Sequence, residues 1–546
     1  MAPMPSRTVA IPLLATILIV TPIVHGQEHQ HAAGNEKIGT VSFPTSCSAA
    51  AQPQLDRAVA LLHSFEFGRA IDAFGAALKS DPSCAMAEWG IALSRWSNPF
   101  APGIRPATQL VPGRDAVERA RKLNPKTDRE RAYVGAVSHL YTDFDKTDQP
   151  SRVIAYRDAM AKLSASYPAD TEARIFYALS VAAAASPNDK TFTEQLKAGA
   201  ILEELIATQP NHPGLAHYII HSYDFPPLAD RALAAARRYA SIAPAAPHAL
   251  HMPSHTFTRL GYWQESIDTN IKSGEVAKAE HSVAEELHTM DYRVYAYLQT
   301  GQDRRARQLL DWLPEVQSRF DPEATGSAAP GSAGIFAFAA IPARYALERG
   351  AWADAAKLEP RPSKYPYTDA LTWYARAIGA ARLGDTAAVR AAIEKLQVIQ
   401  QQLAAAQERY WAEQAEIQRR AATAWLGFAE HREAEALAQM REAAALEDAT
   451  EKAAVTPGPL VPARELLGEM LLLAKRPAAA QQAFEATLKR EPNRFRALHG
   501  AARAASLAGD RAAAARYYGQ LVKICTRADR PGRPELAEAR RGSARG

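Results

Sequence analysis

The stretch Phe65 to Pro82, FEFGRAIDAFGAALKSDP, sets Ala70, Phe74, Ala77 and Pro82 at intervals of four, three and five. Residues three and four apart share one face of a helix, so the alanines and the ring form a single stripe. The proline then ends the helix, because it lacks the N–H that the next turn needs. The same spacing returns in RPAAAQQAFEATLKREP as Ala480, Phe484, Thr487 and Pro492. It returns again as Ala232, Ala236, Tyr239 and Pro244, and as Ala198, Leu202, Leu205 and Pro210. The small residue recurs at Ala198, Ala232 and Ser266 with gaps of 34 residues, then at Ala306 after 40, while Ala480 and Ala514 are 34 apart. Between Ala70, Gly113 and Tyr156 the step stretches to 43. Tight glycine turns, RLGYW at 259–263 and LAGDR at 507–511, join each such helix to the one before it.

A small residue, an apolar partner one turn on, a closing proline and a period of 34 resemble the tetratricopeptide repeat (TPR). The resemblance implies an all-α fold, a right-handed superhelix or α-solenoid of antiparallel helix pairs, with about ten or more repeats across the chain. The segments HYIIHSYD (217–224), APHALHMPSH (246–255) and GPLVPARELLGEML (458–471) are similar to those of exported bacterial TPR proteins. That similarity implies a superhelical scaffold and carries no activity with it.

Composition agrees with an all-helical reading. The 546 residues exceed what one core usually supports, which points to several domains or a repeat array. Alanine is abundant and β-branched runs are scarce. Sixty-four Lys and Arg against 59 Asp and Glu give a net charge of +5, and no arginine-rich patch alternates with aromatics. No nucleic-acid partner is expected. Arg7, the apolar run VAIPLLATILIVTPIV and the small Val24 and Gly26 read as a secretory signal at 1–26, cleaved after Gly26. The run is short and holds two prolines, so no stable membrane insertion is expected after cleavage. The protein is expected to be periplasmic or secreted. In that setting Cys47 and Cys84 are expected to form a disulfide, leaving Cys525 as a buried thiol.

The expected organisation is a signal peptide at 1–26, a flexible segment at 27–46 and an N-terminal TPR lobe at 47–320. A loop and connector with one irregular repeat follows at 321–369, and a C-terminal TPR lobe at 370–546. Within the connector, DPEATGSAAPGSAG (321–334) reads as a flexible loop and KLEPRPSKYPYTD (357–369) as an extended segment. Further on, IEKLQVIQQQLAAAQERYWAEQAEIQRRAATAWLG reads as one long amphipathic helix.

The repeat register also organises the histidines. Counting back fifteen from the small helix-B residue gives His217, His251 and Asp291, and counting back eleven gives His221, His255 and Tyr295. Counting back eighteen gives Gly214, His248 and His288, while Asp224 lies eight before Ala232. In proteins resembling this one, those positions line the concave groove. The groove at His217, His221, Asp224, His248, His251, His255, His288, Asp291 and Tyr295 is therefore the expected binding site for a peptide, a protein partner or a small molecule. Histidines four apart on one helix can also grip a divalent ion, which makes His217, His221, His251 and His255 candidate Zn or Cu ligands. Asp224 or Asp291 would ligate the ion or orient an imidazole. Pro253 removes a helical hydrogen bond within HMPSH and is expected to tilt His251 against His255.

The alternatives are a divalent-metal protein and, second, a metal-dependent hydrolase using the same cluster. The sequence lacks HEXXH, a nucleophile elbow and a phosphate-binding glycine loop, so a non-enzymatic role is favoured. Glu265, Glu275 and Glu285 are the nearby carboxylates that could serve as a base. If cleavage follows Gly26, an amine at Gln27 with His29 and His31 could wrap Cu(II) or Ni(II). Trp89 and Trp96, seven apart, and His63, at a hairpin corner, read as core.

Overall fold

A computed structural model describes Met1 and residues 36–101, 103–186 and 189–544. The expected signal peptide and the Gln27, His29 and His31 group lie outside the described residues. Residues Lys37–Gly546 form one compact unit, so the expected connector parts no separate bodies. Among the described residues there are 26 helices, from Gln52–His63 to Pro534–Ser543, and no strand.

The repeat stripe is the inner face of each pair. Ala70, Phe74 and Ala77 are fully buried on the helix Phe67–Ser80. The Phe74 ring lies over Gly90 of the next helix so closely that a Cβ there would sit 2.1 Å from it. Phe484 repeats this against Gly468 and Gly500. A glycine on one helix thus seats an aromatic from its neighbour, which draws the backbones together and buries a ring worth roughly 1.5–3 kcal/mol.

Three sequence expectations change. The residues at 37–46 are not flexible: Thr40 N–H donates to the Asn211 carbonyl at 3.0 Å, and the fully buried Phe43 packs on Trp89 and Tyr133. The loop at 321–334 is likewise pinned, because Gly68 N–H donates to Gly326, Asn98 to the Ala328 carbonyl, and Ala329 N–H to Glu285. Its last residues already belong to the helix Gly331–Glu348. The single long helix is instead two, Thr386–Ala405 and Arg409–Ala429, turned at Gln407 with φ +60°. No glycine or proline marks that turn, so the pattern of apolar residues ran through it unbroken.

Cys47 and Cys84 form a disulfide with Cα atoms 5.0 Å apart, and it ties the N-terminal segment to the helix beginning at Ala85. Cys525 is a buried free thiol that burial pushes up to about 12. Trp89 and Trp96 are buried in the core, the latter under the Arg105 guanidinium.

The later helices return to the earlier ones. Trp263 Nε1 donates to the Asn493 carbonyl at 2.8 Å, Phe495 N–H to the Gln299 side chain, and Asp529 N–H to the Gly301 carbonyl. The segment between the helices Glu433–Asp448 and Ala463–Leu473 packs against the histidine-bearing helices through Lys452 and Thr456.

Candidate metal centre

Four short stretches supply the histidines. His217 and His221 stand on the helix Pro213–Ser222, and His248 and His251 on Pro247–His251. His255 stands on Pro253–Arg259 and His288 on Val283–Gln299. Pro253 does interrupt the helix, yet Met252 stays right-handed helical and His255 N–H bonds to the Met252 carbonyl. The break is slight, and the two imidazoles converge rather than part, with His251 Nε2 and His255 Nε2 3.1 Å apart.

Protons on these two rings can be placed. Asn270 Nδ2 donates to the Ser266 carbonyl at 2.8 Å, which turns Asn270 Oδ1 toward His251 Nδ1 at 2.7 Å. His251 therefore carries its proton on Nδ1. His255 Nδ1 lies 2.9 Å from Asp224 Oδ2. Against the upward push of burial, Lys452 and Arg259 hold the Asp224 carboxyl well below its ordinary value, so it accepts and His255 Nδ1 donates. Burial, opposed by Asp224, takes the His255 imidazole down to about 4, and burial beside His288 and His255 takes His251 well below 6.5. Both rings are neutral at pH 7, and two Nε2 lone pairs face each other. The Tyr292 hydroxyl, 3.3 Å from His255 Nε2 and 3.3 Å from the Thr456 carbonyl, has one proton for both acceptors.

His288 completes this group: its ligand atom and those of His251 and His255 lie within 4.8 Å of one another. Burial, opposed by Glu285, takes His288 down to about 3, and its Nδ1 is buried without a hydrogen-bond partner. A second group joins His217, His221 and His248, whose ligand atoms likewise lie within 4.8 Å of one another. The four-histidine set expected from the sequence is thus divided, two to each group, with His248 and His288 completing them.

Asp291 and Tyr295 belong elsewhere. Arg344 Nε donates to Asp291 at 2.9 Å and its other nitrogens hold Gly458, Pro459 and Thr456. Tyr295 donates to Glu491 and accepts from Arg494. Register put them in the right column, but buried arginines claim them. Tyr292 and Asn270, which touch the imidazoles, were missed; Asn270 sits on the helix Trp263–Ala279, and only its position opposite His251 gives it a role. Lys452 comes from 228 residues beyond Asp224 and left no local signal.

The open groove is also corrected. His217, His248, His251, His255 and His288 are at most 5 % exposed and His221 7 %, because Lys452 to Thr456 and the Ala328–Ala329 segment cover them. A peptide finds no open channel at these imidazoles. Glu285 uses one oxygen on His248 and the other on Ala329 N–H, while Glu265 and Glu275 are exposed. His63 has partners at both ring nitrogens, the Tyr218 hydroxyl and Glu172, and Glu172 also pairs with His212.

No protein-family model matches this chain, and no curated protein matches it. Among solved structures it is similar to YrrB, a TPR protein with an unusual peptide-binding site. The two are 20% identical with a TM-score of 0.20, over 37% of this chain and 90% of that one. It is similar to the human IFIT1 dimer with m7Gppp-AAAA at 12% identity and a TM-score of 0.39, over 81% and 90% of the two chains. For the APC/C hetero-tetramer Cut9–Hcn1 the values are 10% and 0.30, over 91% and 96%. The fold is an all-α TPR-like superhelix. None of these likenesses bears on the histidines.

Proposed function

We propose that the protein is an exported metal-binding superhelix whose His251, His255 and His288 hold a Zn or Cu ion. The observation that carries this is the pair of facing Nε2 lone pairs, 3.1 Å apart in a buried site with both Nδ1 protons committed elsewhere. Two bare lone pairs at that distance repel unless a cation or proton lies between them. Nitrogens bonded at roughly 2.0–2.1 Å to one tetrahedral ion lie about 3.3 Å apart, close to what is observed. Asp224 and Asn270 act as the outer partners that fix tautomer and ring orientation.

Export is supported by the disulfide between Cys47 and Cys84, a bond that persists in oxidising compartments. Three neutral nitrogens suit Zn or Cu better than Ca or Mg, which prefer oxygen. A hydrolase draws no support from the carboxylates, since neither oxygen of Glu285 is free to act as a base. The test is calorimetric titration of chelator-treated, untagged protein with Zn(II), repeated on His288→Gln. Binding in the parent that is weakened at least tenfold in the variant supports the reading; equal binding in both refutes it.

A further inference from the structure

The second histidine group has the same construction as the first. Nε2 of His217, His221 and His248 are all buried without a hydrogen-bond partner. Two of the rings are set from the opposite side: His217 Nδ1 lies 2.6 Å from the His63 carbonyl, which can only accept, and His248 Nδ1 lies 2.9 Å from the Glu285 carboxylate. Each of these imidazoles therefore carries its proton on Nδ1 and turns a bare Nε2 inward. Leaving two such acceptors and the buried His221 Nε2 beside them unpaired is costly unless something fills the space between them.

The two groups adjoin. The rings of His221 and His255 are 6.1 Å apart between centroids, and those of His248 and His251 are 6.0 Å apart. A single small cavity touches both, with His221 and His248 from one group and His255 and His288 from the other, beside Ala454 and Val455. The centre of a water-sized sphere can move through about 20 Å³ of it, which leaves room for a ligand of one to three atoms.

We infer that His217, His221 and His248 hold a second ion of the same class, and that the two ions form one two-metal centre. Each ion takes three protein nitrogens and keeps an open position, and the cavity lets a ligand of one to three atoms, such as hydroxide or azide, reach both. The binding of a first ion by His251, His255 and His288 is presupposed, and the stoichiometry separates the two claims.

The experiment loads the untagged full chain with Cu(II) and measures copper content, electron paramagnetic resonance intensity per copper, and absorption during azide titration. The expected result is two coppers per chain, a signal well below one spin per copper because the ions couple, and an azide-to-copper charge-transfer band. His221→Gln should fall to one copper with a full signal. Ala454→Phe, on a loop rather than in a helix, should keep both coppers and lose the azide band. One copper in the parent would overturn the second site while leaving the first. Two coppers with full independent signals, or azide binding unchanged in Ala454→Phe, would overturn the shared centre. No copper at all would sink the proposed function and this inference together.

Discussion

Replacing His288 with Gln measures what it costs to keep a neutral imidazole in this core. Burial, opposed by Glu285, lowers the His288 imidazole from 6.5 to about 3. At about pH 7.5 it is neutral in both the folded and the unfolded chain, and no pH-dependent cost arises. At about pH 5 it is still neutral in the fold but protonated in the unfolded chain, which therefore binds more protons, so stability falls with pH through this window. Over the roughly 1.5 units below 6.5, at about 1.36 kcal/mol per unit, the loss is about 2 kcal/mol. Glutamine has no such titration. Other buried groups change in the same range, among them Glu447, which burial pushes up to about 8, so the quantity to read is the difference between the two proteins. Urea unfolding of the metal-free proteins should show the parent losing about 2 kcal/mol more than His288→Gln between the two pH values. Equal losses would mean that His288 takes up its proton in the fold near its ordinary value, and the argument from burial would fail.

Other substitutions probe the supports. Asn270→Leu frees the His251 ring and should weaken Zn(II) roughly 10- to 100-fold by titration, with the helical circular dichroism unchanged. Arg344→Leu strands the buried Asp291 and releases the Thr456 to Pro459 segment, which should cost about 3–5 kcal/mol and speed amide exchange at 450–460. Cys47→Ser opens a bridge spanning 37 residues and should lower unfolding stability by about 4 kcal/mol on chain-entropy grounds, a loss that reduction of the parent should reproduce.

How much of this was legible follows from where each signal is stored. The stripe of Ala70, Phe74 and Ala77 is local, and a period of 34 carries it along the chain, so the helix pairs and the histidine columns could be read directly. The same register located all six imidazoles of the two groups. It could not show that His217 and His221 go with His248 while His251 and His255 go with His288, because the column order says nothing of ring rotation. Nor could it show the burial, which depends on Lys452 and Thr456 arriving from the far half of the chain. The turn at Gln407 was invisible because a left-handed residue other than glycine leaves no compositional mark. The loop at 321–334 looked flexible because its anchors, Gly68, Asn98 and Glu285, are distant in sequence.

The central claim is that the buried imidazoles hold a metal ion, and elemental analysis of untagged protein beside His251→Ala, His255→Ala tests it most directly. The account predicts Zn or Cu in the parent, in at least equimolar amount, and a loss of at least one ion per chain in the double variant. Parent protein without bound metal, whose melting temperature does not rise on adding Zn(II) or Cu(II), would contradict it.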